Sequence, residues 1–408
     1  MGLFSLFVVA SRPILQVLLM ALVGAFLSSG YSNIFKSDAR RDMNKVVFSV
    51  FTPALIYSSL AETVTIQEII SWWFMPVNIG IVFVIGTILG WLIVKILRPE
   101  QYLEGVVMAT CSAGNLGNLL LIIIPAICDE DGSPFGETSI CKTRALSYSS
   151  LSMALGSFFI WSHTYSLMRK SGILYEKLRH DDELPISSDQ NPDTIKVEDG
   201  EASKGTDQDA ENQIIVPLLS GEELGKKKSK FWEKLNDTLH MIYEELLAPP
   251  NIAAIIGFVI GVIPWLKSLL IGDTAPLRVI QDSLTSLGAG TIPCITLILG
   301  GNLMEGLRKS TLKPMLILSI LFIKYIILPL VGIAIVKAAA QLGFLPKDPL
   351  YHYLLMIQFS LPPAMNIGTM AQLFNVGQDE CSVIFLWTYL AATPALSFWS
   401  TIYLGILS

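Results

Sequence analysis

The sequence predicts an all-α integral membrane protein of ten transmembrane helices, arranged as two inverted five-helix repeats with broken fourth and ninth helices. Three observations carry that prediction. The residues AVILMFWYC make up 52% of the chain and charged residues only 15%, with a mean hydropathy of +0.56. Ten stretches are long and apolar enough to cross a bilayer core of ~30 Å, which takes about 20 helical residues. Short motifs also recur in the same order in the two halves of the chain. So much apolar surface cannot be hidden inside a water-soluble core of this size, which leaves lipid as the solvent.

The ten stretches lie near residues 6–29, 43–61, 72–96, 103–127, 145–168, 251–271, 279–303, 312–340, 350–374 and 381–406. The first opens MGLFSLFVVASRPILQ, without an early basic region and running on into apolar sequence. That is the pattern of a retained span and not of a cleaved signal peptide. Residues 1–168 form the first five-helix repeat and 251–408 the second. The connecting stretch 169–250 is expected to be a largely disordered acidic loop. Between Asp181 and Gln213 it has eleven acids, two lysines and few aromatics, too little apolar surface to offset the entropy of ordering. That segment carries −9 against −6 for the whole chain, so the acidity is local and says nothing about partners. The run Lys226–Lys230 and the residues around Trp232 read equally as a surface helix or a solvated charge run.

Ten spans place both termini on one side and the long loop on the other. Short loops on the long-loop side hold nine basic residues against seven opposite, and Arg169, Lys170, Lys177, Arg179 and Lys226 flank the membrane on that same side. The bias makes the long loop cytosolic and both termini lumenal or exterior. Asn236-Asp237-Thr238, an N-x-T triplet, would then be cytosolic and unmodified.

The repeat is legible residue by residue. Met108, Ser112 and Asn118 fall on Met356, Ser360 and Asn366 with a shift of 248, and Pro53 falls on Pro293 with a shift of 240. The motif Trp-Ser-x-x-Tyr occurs at Trp161–Tyr165 and again at Trp399–Tyr403. Five spans per half is an odd number, so the second half enters the membrane from the opposite face. Carriers use that inverted symmetry to open one site alternately to each side.

The site is expected where both repeats break. The fourth span carries Gly114-Asn115-Leu116-Gly117-Asn118 followed by Pro125, and Gly114, Gly117 and Pro125 are its expected helix breakers. The ninth carries Pro362-Pro363-Ala364-Met365-Asn366, where two prolines remove two helical donors. Freed amides and the positive ends of half-helices hold an anionic group without a fixed cation. Asn115, Asn118 and Asn366 add side-chain amides at that depth, with Ser112 and Ser360 one or two turns away. The competing reading of a single Asn is helix-packing glue; the symmetric pair Asn118 and Asn366, each in a breaker cluster, favours the site. Gly86-x-x-x-Gly90 and Gly257-x-x-x-Gly261 read as close-packing positions.

Lys324, in ILFIKYIILP, is an intramembrane charge. It reads as a partner for a substrate anion or as a residue that snorkels or pairs locally. Glu62, Asp282 and Glu305 sit at span ends, and His163 reads as a hydrogen-bonded core histidine. With no paired intramembrane carboxylates, proton or sodium coupling has no candidate, which favours movement down an electrochemical gradient. The five cysteines show no CxxC and no Cys/His metal spacing, so neither metal nor cofactor is expected. Cys128 and Cys141 flank a loop on the lumenal side, where a disulfide is permitted and its formation is an open question. No nucleophile–base pair, phosphate loop or basic patch with interleaved aromatics is present, against an enzyme and against nucleic-acid binding.

The segment SAGNLGNLLLIIIPAICDEDGSPFGETSIC, with Leu299-Gly-Gly-Asn-Leu303 and Leu361-Pro-Pro-Ala364, resembles the plant PIN-LIKES (PILS) auxin-transport facilitators, relatives of the PIN auxin carriers. The resemblance covers essentially all the spans and not the central loop. It implies a multi-pass carrier of the endoplasmic reticulum membrane that moves indole-3-acetic acid from cytosol to lumen and so lowers auxin signalling. It further implies an elevator-like motion in which the fourth and ninth helices cross at prolines beside the substrate. Asn115 matches the Asn that precedes the crossing in the fourth helix, and Pro362 the corresponding place in the ninth. The chain departs from the PIN pattern at Gly117, where no proline stands, and at Asn366. The expected partners are a small organic anion and the bilayer, with a homodimer allowed. Two alternatives stay open: a carrier of another organic monoanion, and a membrane scaffold or receptor that recruits partners through its acidic loop. A dicarboxylate would want more fixed cations than Lys324.

Overall fold

Proline sets where several of the helices begin. In a computed structural model describing residues 3–32, 34–128, 135–183, 247–309 and 312–407, α1 (Leu3–Ser28) is followed by α2, which runs Ser37–Val46, through a π turn Val47–Phe51, into Thr52–Thr63. A short α3 (Ile66–Ser71) leads to α4 (Phe74–Leu97). Arg98 ends α4 in the left-handed conformation (φ 46°) and Pro99 prevents its resumption. Two half-helices follow, α5 (Glu104–Ser112) and α6 (Asn118–Cys128), and then α7, which runs Thr138–Phe159, through a π turn Ile160–Thr164, into Tyr165–Glu183.

A second set of helices follows. It comprises α8 (Pro249–Val262), α9 (Pro264–Leu270), α10 (Arg278–Ala289) and α11 (Thr291–Lys309). Next come α12, running Pro314–Phe322, through a π turn Ile323–Ile327, into Leu328–Gln341, and the half-helices α13 (Pro349–Ile357) and α14 (Asn366–Leu373). The last is α15 (Gln378–Leu407). Prolines at the first turns of α8, α9, α12 and α13 fit positions whose N–H would be unbonded in any case. Asp348 caps α13, accepting from the Leu350 and Tyr351 amides at 3.0 and 3.4 Å, while its other oxygen accepts from the Tyr148 hydroxyl of α7 at 2.6 Å.

Among the described residues, five helices are long and apolar enough to cross a membrane: Ser37–Thr63, Phe74–Leu97, Arg278–Met304, Pro314–Gln341 and Gln378–Leu407. The pair α8 and α9 makes a sixth if counted together, although it bends by 105°. The bend falls at Ile263–Pro264, where the proline has no N–H to continue the ladder. The sequence reads this stretch as one uninterrupted span, 251–271. Two other predicted spans, 103–127 and 350–374, are divided into half-helices.

Residues up to Lys177 and from Glu245 cluster into one compact unit; residues 178–244 form another, of which 178–183 are described. The expected disorder of 181–213 and the stretch around Trp232 lie outside the described residues apart from the helical 181–183. The beginning of the expected loop, 169–183, is helical as well. Tertiary contacts hold its first two turns: Ser171 accepts a hydrogen bond from the Gly105 amide at 3.1 Å, and Tyr175 lies 4.9 Å from the ring of Tyr102.

Glycine lets backbones approach at two seams. A Cβ on Gly86 of α4 would stand 2.5 Å from the Ser112 Cα, and one on Gly257 of α8 would stand 2.8 Å from the Tyr57 carbonyl oxygen of α2. Both belong to the small-residue pairs read from the sequence, and both seat a neighbouring helix against bare backbone. One proline inside a span is accommodated by a side chain from another helix. Pro329 cannot donate to the Tyr325 carbonyl, and that oxygen accepts the Trp399 indole N–H at 2.8 Å.

Candidate functional site

Between Ser112 and Asn118, and again between Ser360 and Asn366, the backbone leaves the helix. Ala113 (φ −80°, ψ 110°) and Leu361 (φ −72°, ψ 144°) are extended. The two extended stretches pair as an antiparallel bridge centred on Gly114 and Pro363. The Asn115 amide donates to the Pro362 carbonyl at 2.8 Å, and the Ala364 amide donates to the Ala113 carbonyl at 3.0 Å. Each break therefore satisfies the backbone groups that the other leaves open, as irregular backbone in an apolar setting requires. Beyond the bridge, α6 and α14 both begin at an Asn, Asn118 and Asn366.

A small cavity of about 60 Å³ lies against this crossing, below the range of about 300–1,000 Å³ usual for small-molecule sites. From the crossing come Asn115, Leu116 and Gly117, then Ala364, Met365 and Asn366. The other walls are Thr52, Leu55 and Ile56 of α2, Met153, Ser157 and Ile160 of α7, and Thr291, Ile292 and Ile295 of α11. Among the described residues no charged side chain lines it. Its polar groups are amides and hydroxyls, and the residues leading into two helix N-termini form one wall, an arrangement that suits an anion. The rest is aliphatic, suited to an apolar body attached to that anion.

The predicted residues separate into two groups. Asn115, Gly117 and Asn366 meet at the cavity, and Gly114, Pro362 and Pro363 build the crossing behind them. The Asn366 side-chain amide has no hydrogen-bond partner among the described residues. Asn118 opens α6, its side chain lying outside the described residues. Ser112, Ser360 and Lys324 are buried away from the cavity lining. Ser112 bonds back to the Ala109 carbonyl at 3.3 Å, and Ser360 shares a 2.6 Å hydrogen bond with the Tyr403 hydroxyl. Lys324 is 1% exposed in the π turn of α12, within electrostatic reach of Cys111, and makes no hydrogen bond or ion pair among the described residues.

Pro125 departs from the expected role of a helix breaker. It lies inside α6, three residues before the end, and the helix continues through it to Cys128. A proline in the last turn costs one backbone hydrogen bond, which a helix packed against a neighbour tolerates. Here the neighbour is α7, and Cys128 is disulfide-bonded to Cys141 of that helix, with 5.7 Å between their Cα atoms. No group of three or more His, Cys, Asp or Glu side chains among the described residues is placed to hold a metal ion.

Other residues shape the site without having drawn attention in the sequence. Tyr389 of α15 accepts from the Asn115 side-chain amide at 2.9 Å and donates to the Pro363 carbonyl at 3.1 Å. Gln358, just before the second break, accepts from Asn78 of α4 at 2.8 Å and donates to Ser152 of α7 at 2.9 Å. Thr52 and Thr291 reach the cavity beside the aligned prolines Pro53 and Pro293, and that pairing was the one sequence signal available for them. Tyr389 and Gln358 carry no such signal, because their partners lie far away in the chain.

Comparison with known proteins points to membrane transport. The family model for membrane transport proteins matches residues 9–400. The chain is 55% identical to Protein PIN-LIKES 5 of Arabidopsis thaliana over 407 residues and 53% identical to Protein PIN-LIKES 7 of the same plant over 410, in both cases spanning 100% of each chain. It is 23% identical to an uncharacterized transporter of Saccharomyces cerevisiae, over 93% of this chain and 91% of that one.

Proposed function

The chain belongs to the membrane transport protein family, and from that premise we propose that it carries auxin, indole-3-acetic acid, from the cytosol into the lumen of the endoplasmic reticulum. The observation that carries the reading is the cavity at the crossing. Asn115, Asn366 and the two helix starts offer hydrogen-bond donors for a carboxylate, while Leu55, Ile56, Ile292 and Ile295 offer apolar surface to a ring. A carboxylate held by neutral donors leaves the site again more readily than one paired with a buried cation, as a carrier needs. The resemblance to auxin-transport facilitators supplies the substrate class.

On this reading the ten spans form two inverted repeats of five, with the long acidic loop cytosolic and the termini lumenal. The crossing pair α5–α6 and α13–α14 moves its cavity past α1, α2, α8, α10 and α11 in an elevator-like step, and removal of auxin from the cytosol lowers signalling. Substrate then moves down its electrochemical gradient.

The test is uptake of labelled indole-3-acetic acid into proteoliposomes containing the purified chain, with benzoate and malonate as competitors. Saturable uptake blocked by indole acids and not by malonate supports the proposal. Uptake blocked equally by benzoate would move the reading to a general organic monoanion carrier. Absence of uptake by folded protein would overturn both.

A further inference from the structure

Two buried hydroxyls on residues that line the cavity have no partner among the described residues. Thr52 is 2% exposed and Thr291 3% exposed, and neither Oγ1 has a hydrogen-bond partner among the described residues. Four other helical threonines bond back to the preceding turn, Thr63 to Ser59 at 2.7 Å, Thr87 to Phe83 at 2.7 Å, Thr296 to Ile292 at 2.7 Å and Thr388 to Ile384 at 2.8 Å, while Thr164, outside the cavity lining, shares the unpartnered state. A buried hydroxyl left without a partner opposes folding, so two of them on residues that line one cavity call for a functional explanation. They occupy related places in the two repeats. Thr52 follows the π turn of α2 directly before Pro53, and Thr291 starts α11 two residues before Pro293.

We propose that Thr52 and Thr291 are specificity-determining residues that accept a hydrogen bond from a single ring N–H of the substrate. The inference rests on the carrier reading above and deepens it. The amides that suit a carboxylate come from the crossing, whereas these hydroxyls come from α2 and α11 and have Leu55, Ile56, Ile292 and Ile295 as neighbours in the cavity wall. A polar atom set among aliphatic side chains selects a ligand that is apolar at that end except for one hydrogen-bonding group. A flat acid with a ring N–H meets that description; the same acid with an all-carbon ring leaves the hydroxyls unpaired. Sites built to bond a substrate N–H discriminate strongly against analogues that lack it.

The experiment compares proteoliposome uptake of labelled indole-3-acetate and 1-naphthylacetate, which share the carboxymethyl arm and differ in the ring N–H. The proteins are wild type, Thr52→Val, Thr291→Val and Thr52→Ser. Wild type should prefer the indole acid by about tenfold or more. The two valine variants should lose about tenfold in indole uptake, keep naphthyl uptake within about twofold, and unfold at a higher temperature when free of ligand, since each removes an unpartnered hydroxyl. Thr52→Ser should keep the preference. If indole and naphthyl uptake fall together, or if the preference survives both valine substitutions, the inference is overturned while the carrier reading stands. If wild type takes up neither acid, both are overturned.

Discussion

The side-chain amide of Asn115 donates to the hydroxyl of Tyr389 at 2.9 Å, across 274 residues of sequence. That hydroxyl donates in turn to the carbonyl of Pro363, so one phenol holds the cavity amide and the second break at the same time. Tyr389→Phe removes both bonds while keeping the ring. Leaving buried partners unsatisfied costs about 1–3 kcal/mol. We expect a lower unfolding temperature in detergent, unchanged helix content, and uptake reduced about tenfold because the Asn115 amide is no longer held in place.

Asn366 should behave differently. Its side-chain amide has no protein partner among the described residues, so Asn366→Ala should change stability by less than about 0.5 kcal/mol. If the amide binds substrate, uptake falls about tenfold all the same. Thermal unfolding and uptake measured on one preparation separate the two effects, and normal uptake in an Asn115→Ala, Asn366→Ala double variant would remove the cavity from consideration.

Gly86 is a packing position with a functional consequence. An added Cβ would meet the Ser112 Cα at 2.5 Å and the Cys111 carbonyl oxygen at 2.7 Å, both backbone and unable to turn aside. Gly86→Ala should therefore cost about 1–3 kcal/mol or more by overpacking. Because Ser112 ends α5, uptake should fall with it. Gly405→Ala, whose Cβ would have nothing within 4 Å, is the matched control and should be neutral or slightly stabilising in thermal unfolding.

The Cys128–Cys141 disulfide closes a loop with a sequence separation of 13. Reduction, or replacement of both cysteines by Ser, should lower stability by about 3 kcal/mol on the chain-entropy account. Protein extracted from cells without reductant should resist maleimide labelling at both positions. Ready labelling there would count against a lumenal loop.

Much of the candidate site was legible because its signals are local. Gly114 and Gly117 weaken a helix wherever they stand, and Pro362 with Pro363 stops one, so the two breaks follow from residues a few positions apart. Pro125 shows the limit of that logic: in the last turn of a helix packed against α7, the same residue type costs one hydrogen bond and breaks nothing. Pro264 shows the opposite error, since it bends a stretch that hydropathy alone reads as continuous. The helical course of 169–183 was missed because composition weighs a segment by itself, while the contacts of Ser171 and Tyr175 with the α5 region are tertiary.

The sequence by itself determined the solvent, the helical class and the places where the chain must leave the helix, because hydropathy, proline geometry and glycine freedom act over one or two turns. Tertiary structure decided which broken backbone pairs with which, and it assembled a cavity from Asn115, Asn366, Thr52 and Thr291. It also separated Asn115 and Asn366 from Ser112, Ser360 and Lys324, which the sequence had grouped with them. Position along a chain fixes which residues share a helix, but which side chains share a cavity depends on packing between helices more than two hundred residues apart.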